Sequence, residues 1–274
     1  MAVFDVIKNE VSSIFFNRFC DQYVRVNHPQ RGIVPFTLMP FQERIAKEMQ
    51  ENQLLIVSKF RMAGLTTLSL AYGLWKSLFT KNYQVCYVGG LVRWTWYLNH
   101  FVLDMVDRMP DGMVDISRCT DEVIEFGETG SKMHFLTADA VRGKRMDHIF
   151  LDEVAFNKKI GRSWPSIYQS AAEGTKITAV STPAEADFSN WFYKTVVDSL
   201  RGANRWKYLP CHYLEHPDHQ NPAWITSMMS SLGPVGFAQE VLGAFLPKHL
   251  LEEDLAYGLP CLFFPSLRND CIVS

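Results

Sequence analysis

Two short stretches of the sequence carry residue types that suit phosphate chemistry. The first follows the apolar run 54–57 and reads Ser58-Lys59-Phe60-Arg61-Met62-Ala63-Gly64-Leu65-Thr66-Thr67. It resembles the pattern G-x-x-x-x-G-K-[ST], in which the loop and its lysine bind nucleotide phosphates and the hydroxyl binds Mg²⁺. Gly64 and Thr66 fit, whereas Leu65 replaces the lysine and Lys59 replaces the first glycine. The stretch therefore predicts an irregular phosphate-binding loop whose cation comes from Lys59 or Arg61.

The second stretch is an apolar run, residues 149–151, that ends on Asp152 and Glu153. Ligands of open α/β sheets bind at the carboxyl edge of the strands, where such a run delivers its last side chains. There Asp152 can hold Mg²⁺, and Glu153 can act as the general base for an attacking water. Ser181-Thr182-Pro183 ends the next apolar run, where hydroxyls could sense a γ-phosphate. In this order, the three groups predict a nucleotide-hydrolysing site.

The elements that must position these groups follow from the apolar pattern. Strand-like runs occur at 54–58, 83–90, 123–126, 132–136, 146–152, 176–181 and, less clearly, 205–209. Helical patterns occur at 40–49, 65–78, 94–108, 163–172, 222–232 and 235–242. Residues 127–130 predict a hairpin turn between two of the strands. Strands that alternate with helices at this spacing predict an α/β fold with a mostly parallel central sheet.

Composition indicates an ordinary globular chain. Its 274 residues suffice for one large domain, and hydrophobic residues make up 47%. The net charge of −2 argues against a generally basic coat for nucleic acid but leaves room for a local basic groove. No apolar run approaches the ~18 residues of a transmembrane helix. The six cysteines form no C-x-x-C pair, which predicts free thiols.

Two further clusters are ambiguous in sequence. Cys211-His212, His216 and His219 could ligate zinc, but the spacing lacks a second paired-ligand knuckle, and we expect a loop. Trp94, Trp96 and Tyr97 could stack on bases, but their helical spacing favours core or subunit contacts.

From about Phe19 to Pro247 the chain resembles the ATPase part of the large terminase subunit of tailed bacteriophages, the motor that packages DNA into procapsids. Besides the stretches above, four short motifs carry the resemblance. They are Leu38-x-x-Phe41-Gln42, Asp139-Ala140-Val141-Arg142-Gly143, Ser181-Thr182-Pro183 and Phe237-Ala238-Gln239-Glu240-x-x-Gly243-x-Phe245. The resemblance implies a RecA-like P-loop NTPase of the ASCE class.

The resemblance also implies roles for individual residues. Gln42 would contact adenine, and residues 58–67 would surround the phosphates of ATP. Arg61 would act in cis on the γ-phosphate, while Arg142 would reach the nucleotide of the neighbouring subunit. The remaining roles are Mg²⁺ binding by Thr66 and Asp152, catalysis by Glu153, and coupling by Ser181, Thr182 and Pro183.

On this basis we expect three regions. Residues 1–35 form a helical or lid segment, 36–247 the ATPase domain, and 248–274 a tail or truncated linker. The terminase nuclease domain is expected to be absent, so no nuclease activity is expected from the chain. Expected partners are double-stranded DNA, the portal protein, the small terminase subunit, further copies in a ring and a separate nuclease polypeptide, without a membrane. The expected location is the cytoplasm of the infected bacterial host, transiently at the procapsid portal vertex.

Two other functions are compatible with these motifs. A helicase-like DNA-dependent ATPase would share them, although the sequence shows no second RecA-like repeat. The second alternative function is that of a nucleotide-binding scaffold subunit with weakened catalysis, in which Leu65 has replaced the catalytic lysine.

Overall fold

An eight-stranded sheet lies at the centre of the fold, with helices packed on both of its faces. The computed structural model describes residues 13–28, 31–170, 174–247 and 249. The helices among them are α1 (Ser13–Tyr23), α2 (Pro40–Glu51), α3 (Leu65–Phe79), α4 (Val92–Asp107), α5 (Ile160–Ser170), α6 (Trp191–Leu200) and α7 (Pro222–Glu240). The strands are β1 (Arg25–His28), β2 (Gly32–Pro35), β3 (Leu54–Ser58), β4 (Gln84–Gly89), β5 (Ile116–Thr120), β6 (Val123–Phe126), β7 (Lys132–Thr137), β8 (His148–Asp152), β9 (Lys176–Ser181) and β10 (Lys207–Pro210).

The strand order of the central sheet is β10-β3-β9-β8-β4-β7-β6-β5. All pairs from β10 to β7 are parallel, and β6 and β5 extend one edge in antiparallel fashion. Strands β3, β9 and β8 are direct neighbours, with Ser58 opposite Ser181 and Asp152 opposite Val180. The three stretches singled out in the sequence therefore end side by side at one edge of the sheet. The mostly parallel α/β architecture confirms the predicted fold class.

Alternate residues of each central strand enter two different cores. In β3, Leu55 and Val57 pack with the cluster that includes α1 to α4, whereas Leu54 and Ile56 pack with the cluster that includes α5 and α6. A strand covered on both faces needs apolar side chains at every position, and this explains its unbroken run of apolar residues.

The first described elements belong to the same core. Phe16 of α1 lies 5.4 Å from Tyr72 and 5.3 Å from Trp75 of α3, measured between ring centroids. Strands β1 and β2 pair with each other as a separate antiparallel hairpin. The described part of segment 13–35 thus packs against the core of the central sheet.

Several local predictions are confirmed and others need correction. The hairpin β6–β7 forms as predicted. The predicted break between two C-terminal helices is a kink at Gly233, whose φ of 67° and ψ of 174° interrupt α7. Strands β1, β2 and β5 were absent from the predicted pattern. The predictions for residues 1–12 and 250–274 lie outside the described residues. No helix that the structure describes is long and apolar enough to cross a membrane.

Candidate active site

The loop after β3 turns sharply and leads into α3. Lys59 N donates to Ser181 O at 3.0 Å, which fixes the start of the loop against β9. Gly64 adopts a left-handed conformation (φ 71°, ψ 17°) directly before α3. The left-handed backbone therefore favours glycine, and a Cβ at this position would lie 2.8 Å from Gln42 Nε2 and displace that amide. Helix α3 begins directly after Gly64, and the N–H groups of its first turn favour an anion in front of the loop.

Gln42 connects this loop to α2. Its Nε2 donates to Ala63 O at 3.0 Å, and its Oε1 accepts from Met39 N at 3.0 Å. The side chain is buried. In this structure both ends of the amide bind the protein's own backbone, so adenine would have to share or replace one of these bonds. Contact between Gln42 and adenine stays a prediction.

Lys59 joins three segments through one buried ammonium group. Its Nζ donates to Glu153 Oε1 at 2.7 Å and to Thr182 Oγ1 at 3.0 Å. Only 6% of the Lys59 side chain is exposed, against 35% for Glu153. The structure thus brings the displaced cation of the loop into contact with the proposed base and with the Ser181-Thr182-Pro183 segment.

Asp152 lies next to Lys59 and Glu153 but has different partners. It accepts hydrogen bonds from Thr66 Oγ1, at 3.2 and 3.3 Å to its two oxygens, and from Trp94 Nε1 at 3.3 Å. Burial, and next the charge of Glu153, raise the pKa of Asp152 to about 6. Its hydrogen-bond donors are neutral, so a cation at this position would stabilise its ionised form.

Glu153 occupies a strained backbone position. Its φ of 47° and ψ of 44° lie in the left-handed region, which costs a non-glycine residue roughly 1–3 kcal/mol. Besides accepting from Lys59, its carboxylate approaches Thr182 N and Ser181 Oγ at 3.4 Å. The left-handed conformation changes the direction of the chain directly after β8, where the Glu153 carboxylate contacts Lys59.

The segment Ser181-Thr182-Pro183 links the carboxylate edge to α7. Ser181 Oγ accepts from Ala155 N at 3.1 Å, two residues beyond Glu153. Pro183 O accepts from Gln239 Nε2 at 3.1 Å. This hydrogen bond joins the segment to α7.

Among the contacts of the described residues, neither predicted arginine reaches Lys59, Glu153 or Asp152. Arg61 is 64% exposed, and its guanidinium pairs with Glu240 at 3.4 Å. Its backbone N–H also donates to Glu240 O at 2.7 Å, so the loop is tied to the end of α7. Arg142 is exposed in the connection between β7 and β8. Its predicted role concerns a neighbouring subunit's nucleotide and stays a prediction.

The other loop residues show why the pattern is irregular. Met62 is exposed and left-handed at φ 63°, so the turn tolerates a side chain directed to solvent. Leu65, at the usual lysine position, is buried in the core. Ser58 Oγ and Tyr208 OH lie 2.7 Å apart, a contact that no motif predicts. Position 65 thus serves packing, and the assignment of Lys59 as the phosphate-binding cation stays a prediction.

The histidines near residue 216 form a stack of rings beside the loop. His219 lies 3.8 Å from Trp224 and 4.1 Å from His216, with nearly parallel planes, and Phe60 meets its edge at 5.2 Å. No group of three or more metal-ligating side chains occurs in the part of the chain that the structure describes. The cluster is organised as ring packing, in keeping with the loop predicted there.

Sequence reasoning missed the role of Trp94. Its indole reaches Asp152 from the start of α4, directly beyond the carboxyl end of β4. The signal that could have found it was positional. Strand β4 ends at Gly89 and is parallel to β8, so the residues after both strands meet at the same edge.

No family model matches the sequence. Solved structures do match it, among them the large terminase of a thermophilic bacteriophage (16% identity, TM-score 0.58, 76% of this chain and 53% of that one). The ATPase domain of the Thermus phage P74-26 large terminase matches at 13% identity and a TM-score of 0.58, over 74% of this chain and 93% of that domain. The HK97 bacteriophage large terminase matches at 14% identity and a TM-score of 0.66, over 86% of this chain and 56% of that one. The first of these three proteins, called the thermophilic-bacteriophage terminase below, has also been solved in complex with ADP and with ATP-γ-S.

These comparisons establish the fold. The chain has the RecA-like fold of phage large-terminase ATPase domains, as expected from its motifs. It spans about half the length of the thermophilic-bacteriophage and HK97 large terminases and nearly all of the P74-26 ATPase domain.

Proposed function

We propose that this chain is an ATP-hydrolysing motor subunit that moves double-stranded viral DNA into a procapsid. The observation that carries the proposal is the meeting of Lys59, Glu153 and Thr182 beside the Thr66–Asp152 pair. This cluster lies at the carboxyl edge of a parallel sheet, next to the start of α3. ATP hydrolysis uses every member of the cluster, which favours an active ATPase over a scaffold subunit with weakened catalysis. The likeness to large terminases favours a packaging motor over a helicase.

The nucleotide phosphates would lie against the loop 59–64 and the start of α3. Backbone N–H groups and the helix dipole favour negative charge there. An ammonium group has three N–H donors, and Lys59 uses two of them on Glu153 and Thr182, so a third is left for a phosphate oxygen. The complexes of the thermophilic-bacteriophage terminase with ADP and ATP-γ-S support a nucleotide as the ligand.

The residues present fit a magnesium ion. Mg²⁺ is commonly held by one or two carboxylates together with the phosphates of the substrate. Thr66 and Asp152 supply a hydroxyl and a carboxylate within 3.3 Å of each other. When bound, the ion would neutralise charge on the phosphates and on Asp152.

Glu153 would orient the attacking water and accept its proton. The left-handed backbone at this residue places the carboxylate beside Lys59 and Thr182. Charge that builds on the transferred phosphoryl group would be stabilised by Lys59, by Arg61, or by Arg142 of a neighbouring subunit. Because Arg61 is exposed and paired with Glu240, its action requires that this surface pair separate.

The movement that follows phosphate release would be transmitted to α7 through two contacts. Lys59 binds Thr182, and Pro183 accepts from Gln239. When the phosphate leaves, the third N–H of Lys59 would lose its partner, and the resulting shift of Lys59 would move the bound Thr182. This gives a physical path from hydrolysis to a helix at the surface of the domain.

The wider partners follow from the likeness to large terminases. We propose a ring of subunits on a portal protein, with a small terminase subunit and double-stranded DNA, in the cytoplasm of the infected host. An arginine supplied in trans requires such a ring. Nuclease activity would come from another segment or polypeptide.

The direct test is Glu153→Gln, which keeps the size of the side chain but removes the base. We expect ATP-γ-S binding within threefold of wild type, and ATP turnover reduced by about 10²–10⁴-fold in the assembly with procapsids and DNA. Glu122→Gln, at an exposed site between β5 and β6, is the matched control and should behave as wild type. DNA packaging, measured as nuclease-protected DNA, should be lost with turnover. Near-wild-type turnover by Glu153→Gln would overturn the mechanism.

A further inference from the structure

Trp94 binds the carboxylate that is proposed to hold magnesium. Its Nε1 donates to Asp152 Oδ2 at 3.3 Å. An indole N–H is a donor only, so the bond can stabilise the carboxylate but cannot compete with it for a cation. The other donor to Asp152 is Thr66, which is itself a proposed magnesium ligand. Trp94 is therefore the partner whose bond need not change when the ion arrives.

The chain makes space for this indole at one position of β4. A Cβ at Gly89 would lie 2.9 Å from Trp94 Cδ1, so the indole would have to shift, and 3.0 Å from Thr95 Cγ2, which is tighter than most Cβ contacts. The backbone of Gly89 is not in the left-handed region, so its glycine is needed for space alone. Tyr97 also stacks on the indole, at 5.1 Å and 19° between the rings. The ring is thus held between the end of β4 and Tyr97.

We propose that Trp94 is a positioning residue that orients the Asp152 carboxylate for the metal–nucleotide complex. The inference rests on the proposed function, because it assigns Trp94 to the same magnesium site. Ligating carboxylates are generally held by hydrogen bonds from outside the metal's own ligand set, and loss of such a partner typically weakens metal binding 10–100-fold. At 3.3 Å the bond is long, so we expect the lower end of this range.

The test measures metal binding apart from catalysis. Mn²⁺ replaces Mg²⁺ as a paramagnetic probe, and its affinity for the protein saturated with ATP-γ-S is measured by electron paramagnetic resonance. Trp94→Phe keeps an aromatic ring and removes the donor, and we expect about tenfold weaker Mn²⁺ binding. Trp96→Phe is the matched control, because Trp96 is exposed and packs on His100. Its Mn²⁺ affinity should equal that of wild type.

Gly89→Ala gives an independent perturbation. It leaves the indole in the chain but displaces it from Asp152, so Mn²⁺ binding should weaken as in Trp94→Phe. Tryptophan fluorescence adds a second readout. Mg²⁺ added to the nucleotide complex should change the emission of wild type and Trp96→Phe but not that of Trp94→Phe.

Failure of the inference and failure of the proposed function give different results. Mn²⁺ affinities of Trp94→Phe and Gly89→Ala within twofold of wild type would overturn the role of Trp94 and leave the ATPase proposal standing. Failure of the wild-type protein to bind Mn²⁺ with ATP-γ-S would overturn both. If Trp94→Phe does not fold, the test rests on Gly89→Ala and on the fluorescence of the wild-type protein. A Mn²⁺ affinity of Gly89→Ala equal to that of wild type, together with no change of wild-type emission on addition of Mg²⁺, would refute the inference.

Discussion

Replacing Lys59 with methionine removes the charge at the centre of the cluster while keeping a side chain of similar length. Lys59 is almost fully buried and lies 2.7 Å from Glu153, whose side chain is 35% exposed. Removal of one partner of a fully buried pair costs about 3–5 kcal/mol, because the other charge is left without compensation. Water reaches Glu153, so we expect the free energy of unfolding to fall by a smaller amount, about 1–2 kcal/mol.

The catalytic loss should be larger than the loss of stability. A single charged donor at a developing transition-state charge typically contributes 10²–10³-fold to kcat. We therefore expect ATP turnover by Lys59→Met, assembled with procapsid and DNA, to fall by at least about 100-fold. Turnover is measured as released phosphate, and unfolding by urea titration followed through tryptophan fluorescence.

Arg61→Met is the control for general loss of positive charge in the loop. Arg61 is 64% exposed and its pair with Glu240 is 3.4 Å long, so its removal should change the free energy of unfolding by about 1 kcal/mol or less. Turnover by Lys59→Met within threefold of wild type would refute the assignment of Lys59 as the phosphate-binding cation.

Three other predictions concern the fold and the loop. Burial holds the pKa of His148 well below its usual value, so below about pH 6.5 the unfolded state takes up a proton that the folded state does not. The contribution of His148 to the free energy of unfolding is therefore full above that pH and falls by about 1 kcal/mol by pH 5.5. Urea titrations of His148→Gln should show a smaller loss over the same range. Gly73→Ala would place a Cβ 2.0 Å from the hydroxyl of Tyr87, so the free energy of unfolding should fall by about 1–3 kcal/mol and partly recover when Tyr87→Phe is added. Gln42→Ala removes the bond to Ala63, and calorimetry should show weaker binding of ATP-γ-S.

Each of these predictions has a result that contradicts it. Parallel pH profiles for wild type and His148→Gln would show that the buried ring does not titrate on unfolding. Additive effects of Gly73→Ala and Tyr87→Phe would show that the two positions do not clash. Unchanged nucleotide affinity in Gln42→Ala would show that neither its contact with the loop nor a contact with adenine matters.

The fold class could be predicted from the sequence because its central strands are unbroken apolar runs separated by helical patterns. The run before Lys59 and the run before Asp152 became β3 and β8, and both end at the predicted edge. The pattern did not show which strands are neighbours in the sheet. The bond from Lys59 to Glu153 joins residues 94 positions apart, and it depends on β9 lying between β3 and β8.

The three strands that sequence reasoning missed have no fully buried position. Four of the five residues of β5 are exposed. Such strands lack the apolar periodicity on which a prediction depends. Strand β5 forms through backbone pairing at the edge of the central sheet, and β1 and β2 form by pairing with each other. Periodicity showed the helix that begins near Trp94 but not the partner of its indole.

The most direct test of the site is a crystal structure of the chain with Mg²⁺ and ATP-γ-S. We expect the terminal phosphate within about 3.2 Å of Lys59 Nζ, and the metal ion beside Thr66 and Asp152. A nucleotide bound elsewhere, or one whose phosphates leave Lys59 in contact with Glu153 and Thr182 alone, would contradict the proposed ATPase site.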